Sequence, residues 1–225
     1  MCGRYALWGI DLLGKRFLVV DPMIGYRSHF NIAPGTQNPV ITASRMGNHF
    51  SMMTWGLVPP WTPAITKGNK LINARAESLA DRVPFKHLLG NNRCIVPANG
   101  FFEWKKTPTH KDPYFICKKD RSLFGFAGLF STSTGPQGPL QTYTIITTSP
   151  NDVVAPYHNR MPVILQEGSE TAWLSQFPLN TEDLARILSP FPADMMAAYP
   201  VSSRVNSTNE DGEDLIASVS VQSTL

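Results

Sequence analysis

The chain has 225 residues, of which 42% are hydrophobic and 16% charged, enough to bury roughly 70% of its unfolded surface without help from disulfides or metals. Its three cysteines (Cys2, Cys94 and Cys117) are odd in number and lack CxxC spacing, which argues against a disulfide framework and a structural zinc site. A net charge of +3 permits an anionic partner without demanding one, and no apolar run is long enough to span a bilayer. The N-terminus also lacks the basic and apolar regions of a signal peptide, so the expected location is the cytoplasm.

Taken in order, Arg4 to Trp8 reads as a short strand, and Ile10 to Val20 as a helix carrying Leu12, Leu13, Phe17 and Leu18 at helical spacing. Asn31 to Thr36 is a turn in which Pro34 fixes φ and Gly35 is free to take positive φ. Strands are expected at Val40 to Thr42 and Phe50 to Leu57, joined through Met46-Gly47-Asn48. The prolines at 59, 60 and 63 then hold Trp61 on a stiff loop.

Short helices are expected at Ala74 to Leu79 and Val83 to Leu89. A series of strands comes next: Cys94 to Pro97, Phe101 to Lys105, Tyr114 to Lys118, Phe124 to Phe130 and Tyr143 to Thr148. Ser131 to Pro139, rich in Ser, Thr, Gly and Pro, reads as an exposed mobile loop. Ser149, Pro150 and Asp152 give the signature of a helix start that Pro156 would end. The loop Tyr157 to Pro162 leads to a strand at Val163 to Leu165. Helices are expected at Ser169 to Phe177 and, capped by Asn180 with Asp183, at Asn180 to Leu188, and the tail from Val201 is polar and weakly periodic. Strands outnumber helices and connections are short, so the expected class is α+β, a single domain (1–225) built on antiparallel sheet rather than a doubly wound parallel one.

Several residues carry chemistry. Methionine removal would leave Cys2 with a free α-amine (ordinary pKa near ~8) beside its thiol (near ~8.5), a pair able to trap an aldehyde as a thiazolidine. Judged on Met1 to Arg4 alone, an unordered terminal cysteine is the better reading. Asn73, in Leu71 to Glu77, would serve equally well as a helix N-cap. Glu103 sits in the aromatic segment Gly100 to Lys105; alternation puts it on one face with Phe101 and Lys105, and aromatic flanks would raise its pKa. An edge-strand glutamate paired with lysine is about as good a reading. His158 is either a proton shuttle or an ordinary hydrogen-bonded loop residue. Trp61, Arg4, Arg75, Arg160, Lys105 and Lys106 could supply stacking and phosphate contacts for single-stranded nucleic acid.

In combination, Met1-Cys2-Gly3-Arg4-Tyr5, Asn31-Ile32-Ala33-Pro34, Trp55 to Pro59, Ile72 to Glu77, Arg93 to Trp104 and His158 to Val163 resemble the SOS response-associated peptidase (SRAP) family, with a weaker echo at Val205-Asn206 and Gly212 to Ile216. The resemblance implies a β-barrel-like sheet with flanking short helices. It implies a protein that shields abasic sites in single-stranded DNA by covalent attachment through Cys2, with no cofactor, no metal, no membrane contact and no obligate protein partner, acting as a monomer. By motif position Cys2 would be the nucleophile, Asn73 would orient its amine, Glu103 would move protons, and His158 would assist sugar ring opening and reversal. Arg4, Arg75 and Arg160 would hold phosphates, with Asn31, Trp61 and Thr147 lining the DNA groove. The family also implies autoproteolytic removal of Met1 and a lyase side activity. Asn99 and Asn159 stand where many relatives carry Asp, which would remove a supporting carboxylate. Two rivals remain: a cysteine hydrolase acting in trans, and a non-catalytic reader of modified DNA.

Overall fold

A computed structural model of the protein describes residues 2–21, 25–62, 71–135 and 138–220. The expectations for Met1 and for Pro63 fall outside them. Among the described residues, twelve strands and four short helices occur in the order β1 (Tyr5–Leu7), α1 (Ile10–Arg16), β2 (His29–Ile32), β3 (Gln37–Ser44), β4 (Gly47–Trp55), β5 (Asn73–Arg75), α2 (Phe85–Leu88), β6 (Arg93–Ala98), β7 (Gly100–Lys106), β8 (Lys111–Lys118), β9 (Phe124–Gly135), β10 (Gly138–Thr148), β11 (Met161–Pro162), α3 (Ser169–Leu174), α4 (Thr181–Ile187) and β12 (Met196–Pro200).

Strands β10, β4, β3, β6 and β9 hydrogen-bond in that order, and β9 returns to β10, so the expected barrel closes on itself. The β3–β4 hairpin turns at Gly47, whose φ of 122° is open to glycine at no steric cost. Strand β10 is longer than the barrel needs. Its first part pairs with β9 and, in parallel, with β4; its last residues pair with β5 and β11. That overhang carries the segments around Asn73 and Arg160 away from the barrel wall.

A second antiparallel sheet runs β12-β8-β7-β1-β2. Period-2 alternation splits it between two cores. Tyr5, Leu7 and Phe101 join the barrel-side core, whereas Ala6, Phe102 and Phe115 join a smaller cluster with Val201, Val205, Leu215 and Ile216 from the C-terminal tail. Each of those tail side chains contributes about 1.5–3 kcal/mol on burial, so the polar-looking tail is fixed by a few apolar anchors.

The structure corrects several local expectations. Residues 73–75 form a strand rather than a helix start, because they pair in parallel with Ile145, Ile146 and Thr147, a non-local bond that local capping chemistry cannot foresee. The segment expected to be a mobile loop continues the β9–β10 hairpin, with Ser131 and Ser133 buried and Ser133 opposite Leu140. After Ser149 no α-helix forms: the Asn151 side chain accepts from Val154 N–H at 3.1 Å and the chain closes hydrogen-bonded turns up to His158. The strand expected at Val163 to Leu165 is reduced to an antiparallel bridge between Ile164 and Phe126, and the two-residue β11 precedes it. Asn180 does cap α4, accepting from Asp183 N–H at 2.8 Å. Among the described residues no helix is long and apolar enough to cross a membrane.

Candidate functional site

The N-terminus is fixed by the strand directly after it. Strand β1 is paired on both edges, to β2 and β7, and Tyr5 anchors it: its hydroxyl meets Tyr143 Oη at 2.8 Å and its ring stands edge-on to Trp55 at 5.2 Å. Cys2 is therefore a fully buried residue, not a loose end. Its carbonyl accepts from Asn73 Nδ2 at 2.9 Å, while Asn73 Oδ1 is buried without a hydrogen-bond partner among the described residues. The N-cap reading of Asn73 is replaced by this contact.

Glu103 lies on β7, an interior strand between β1 and β8, so the edge-strand reading does not hold. Its side chain is 4% exposed, and burial raises its carboxyl pKa above the ordinary value. Burial, with the Glu103 charge nearby, also pushes the Cys2 thiol up, so the thiol is held protonated.

Across the strand pair Glu103 faces Tyr114, whose ring packs against Tyr157 at a tilt of 36° with centroids 4.4 Å apart. This contact brings the turn after Asn151 over the sheet and delivers the next residue, His158, to the cleft. His158 Nδ1 accepts from Arg160 N–H at 2.9 Å, so the neutral ring carries its proton on Nε2. Burial lowers the His158 pKa, and the positive charges of Lys106 and Arg160 lower it further. Glu103 and His158 share a cleft of about 660 Å³ with Trp104, Lys106, His110, Lys111, Tyr157 and Asn206.

The cationic residues divide into held and exposed. Arg160 forms a bidentate pair with Glu77 (2.6 and 2.9 Å) and donates to the carbonyl of Thr147, whose buried hydroxyl lies on β10. Arg75, two residues from Asn73 on the same face of β5, is exposed. Arg4 Nη1 donates to Asn31 Oδ1 (2.7 Å) and to the Val205 carbonyl (2.8 Å). Asn31 is itself buried and spends its amide on the carbonyls of Val205, Ser207 and Glu210. Both residues thus bind the tail.

Trp61 is 56% exposed and stands edge-on to His87 at 6.1 Å. Nothing in the described residues joins it to the cleft. Asn99, at a position where the family resemblance favours a carboxylate, accepts from Trp8 N–H at 2.8 Å through Oδ1, an acceptor role an amide fills as well. Asn159 is exposed. Sequence reasoning does not single out Trp104, Tyr157 or Asn206 as site residues; the turn and tail that carry the last two have no periodicity to reveal which way they face.

Comparisons with known proteins agree with this architecture. A sequence model described as SOS response associated peptidase (SRAP) matches residues 1–208. The chain is 40% identical over 223 residues to the abasic site processing protein YoqW of Bacillus subtilis, covering 97% of this chain and 100% of that protein. It is 31% identical to the abasic site processing protein HMCES of Gallus gallus, covering 86% of this chain and 67% of that protein. A crystal structure of a protein from Bacteroides thetaiotaomicron superposes with a TM-score of 0.86 at 26% identity, covering 97% of this chain and 100% of that one.

Proposed function

Because the chain belongs to the SOS response associated peptidase family, we propose that it processes abasic sites in single-stranded DNA by crosslinking to them through Cys2 once Met1 is gone. The observation that carries this reading is the burial of Cys2 in one site with Asn73 and Glu103.

The step balances without an oxidant or a cofactor. The α-amine of Cys2 attacks C1′ of the ring-opened sugar aldehyde; Glu103, whose carboxyl burial pushes toward its protonated form, gives its proton to the departing hydroxyl, which leaves as water, and takes back the proton on nitrogen to leave the imine. The thiol then adds across the resulting imine: sulfur bonds to C1′ and its proton passes to nitrogen, closing the thiazolidine. A protonated thiol suits this order, in which the amine attacks first. Asn73 Oδ1 would accept an N–H of the amine and aim its lone pair. His158, neutral, would take the proton of the sugar hydroxyl during ring opening and return it on reversal. Arg75 and Arg160 would hold phosphates, with Arg4 supporting them from beneath, and Trp61 and Thr147 would border the strand. The chain would act as one unit, a cytoplasmic monomer, with its tail lining the cleft.

A hydrolase acting in trans is the weaker alternative. It would need a thiolate, and burial and Glu103 both disfavour one here. Removal of Met1, which frees the α-amine, is part of the proposal.

The test is a denaturing gel of protein incubated with abasic single-stranded DNA. A shifted band is expected for the wild type and none for Cys2→Ala; His158→Ala should release a preformed adduct more slowly. An undiminished band for Cys2→Ala would sink the crosslinking mechanism and leave the non-catalytic reader.

A further inference from the structure

The C-terminal tail reaches the cleft at one residue. The 3-10 turn Ser203–Asn206 is nailed down by Val205, whose side chain is fully buried and whose carbonyl accepts from Arg4 and Asn31. Beyond it, Asp211 Oδ1 accepts from Phe30 and Asn31 N–H at 2.6 and 3.0 Å, and Arg204 pairs with Glu210 and Asp214. So rigid an anchorage holds Asn206, which is exposed, in the wall shared with Glu103 and His158. Asn206 Oδ1 accepts from Trp104 Nε1 at 2.7 Å. The indole fixes which end of the amide is which: oxygen toward Trp104, and the amide NH2 left with no protein partner among the described residues.

Resting on the crosslinking reading, we infer that Asn206 is a substrate-contacting residue, its Nδ2 donating to a phosphate oxygen of the bound strand. Three features point to a phosphate. The free group is a pure donor. Its neighbours in the cleft include the cations Lys106 and Lys111. Every position of a DNA strand offers an anionic acceptor, and asparagine amides are regular phosphate ligands. Trp104 is then a positioning residue that orients Asn206, and the tail is a wall of the site.

The experiment measures fluorescence anisotropy with a single-stranded oligonucleotide carrying a tetrahydrofuran abasic analogue, which has no aldehyde and so reports binding alone. Asn206→Ala should weaken binding about tenfold, the scale of one hydrogen bond to a charged group. Asn206→Asp retains the acceptor for Trp104, and with it the docked tail and the wild-type melting temperature, but turns the donor into an anion; it should weaken binding further. Trp104→Phe, which frees the amide to rotate, should give a smaller loss than either. Binding of Asn206→Asp within twofold of wild type, or no binding of the analogue by the wild type, overturns the inference. Failure of crosslinking alone shows instead as an absent gel band with genuine abasic DNA while the anisotropy pattern stands.

Discussion

Burial acts in the same chemical direction on three groups of the site. It raises the Cys2 thiol and the Glu103 carboxyl and lowers the His158 imidazole, so each is pushed toward its neutral form. A neutral carboxyl can give a proton and a neutral imidazole can take one, which is what imine formation and ring opening require. The cost falls on stability. The folded pKa of Glu103 lies above its unfolded value, so ionising it works against folding: the penalty is absent below the unfolded pKa, grows as pH rises, and is complete above the folded pKa. Glu103→Gln should therefore melt about 2 °C higher than wild type at pH 8, a gain that shrinks as the pH is lowered toward 4, while slowing adduct formation by about a hundredfold. Thermal scans across that range and single-turnover crosslinking check both. A variant that melts lower than wild type at pH 8 and crosslinks at the wild-type rate would remove the residue from this role.

Strand β7 is the element on which the site depends, and its first residue shows how tightly it is packed. A Cβ at Gly100 would stand 2.1 Å from Cζ of Phe115, a buried ring fixed against Phe102, Trp8 and Tyr199. The ring has nowhere to move, so Gly100→Ala should cost about 1–3 kcal/mol, read as a lower urea midpoint; an unchanged midpoint would contradict this packing. Much of this strand is legible in the sequence: alternation alone assigns Phe101 to one face and Phe102 and Trp104 to the other, as observed. What alternation cannot supply is the strand's place inside the sheet, which decides between a solvated glutamate and a buried acid. Asn73 misleads for a related reason. Its capping chemistry is local, and its parallel pairing to β10 is not. The turn after Asn151 likewise depends on a side-chain bond that competes with helix formation.

At the scale of the molecule, residues near positions 2, 73, 103, 158 and 206 meet because β1 of the second sheet is joined to β10 of the barrel sheet by the Tyr5–Tyr143 hydrogen bond, and β5, paired to the overhanging end of β10, reaches Cys2 through Asn73. The barrel supplies rigidity, the second sheet supplies Glu103, and the tail closes the outside by binding Arg4 and Asn31. Residue types at these positions can be read from the sequence through its likeness to a family; the tail's part cannot, because Val205, Leu215 and Ile216 are spaced without a regular period. Everything in this mechanism turns on the connectivity of Cys2, which one measurement reads directly: tandem mass spectrometry of the N-terminal peptide after reaction with abasic single-stranded DNA and digestion of the nucleic acid. The predicted product begins at Cys2, lacks Met1, and carries the sugar remnant bonded through both the α-nitrogen and Sγ of that residue. A remnant attached to any other residue, or an adduct on a peptide that still begins with Met1, would contradict it.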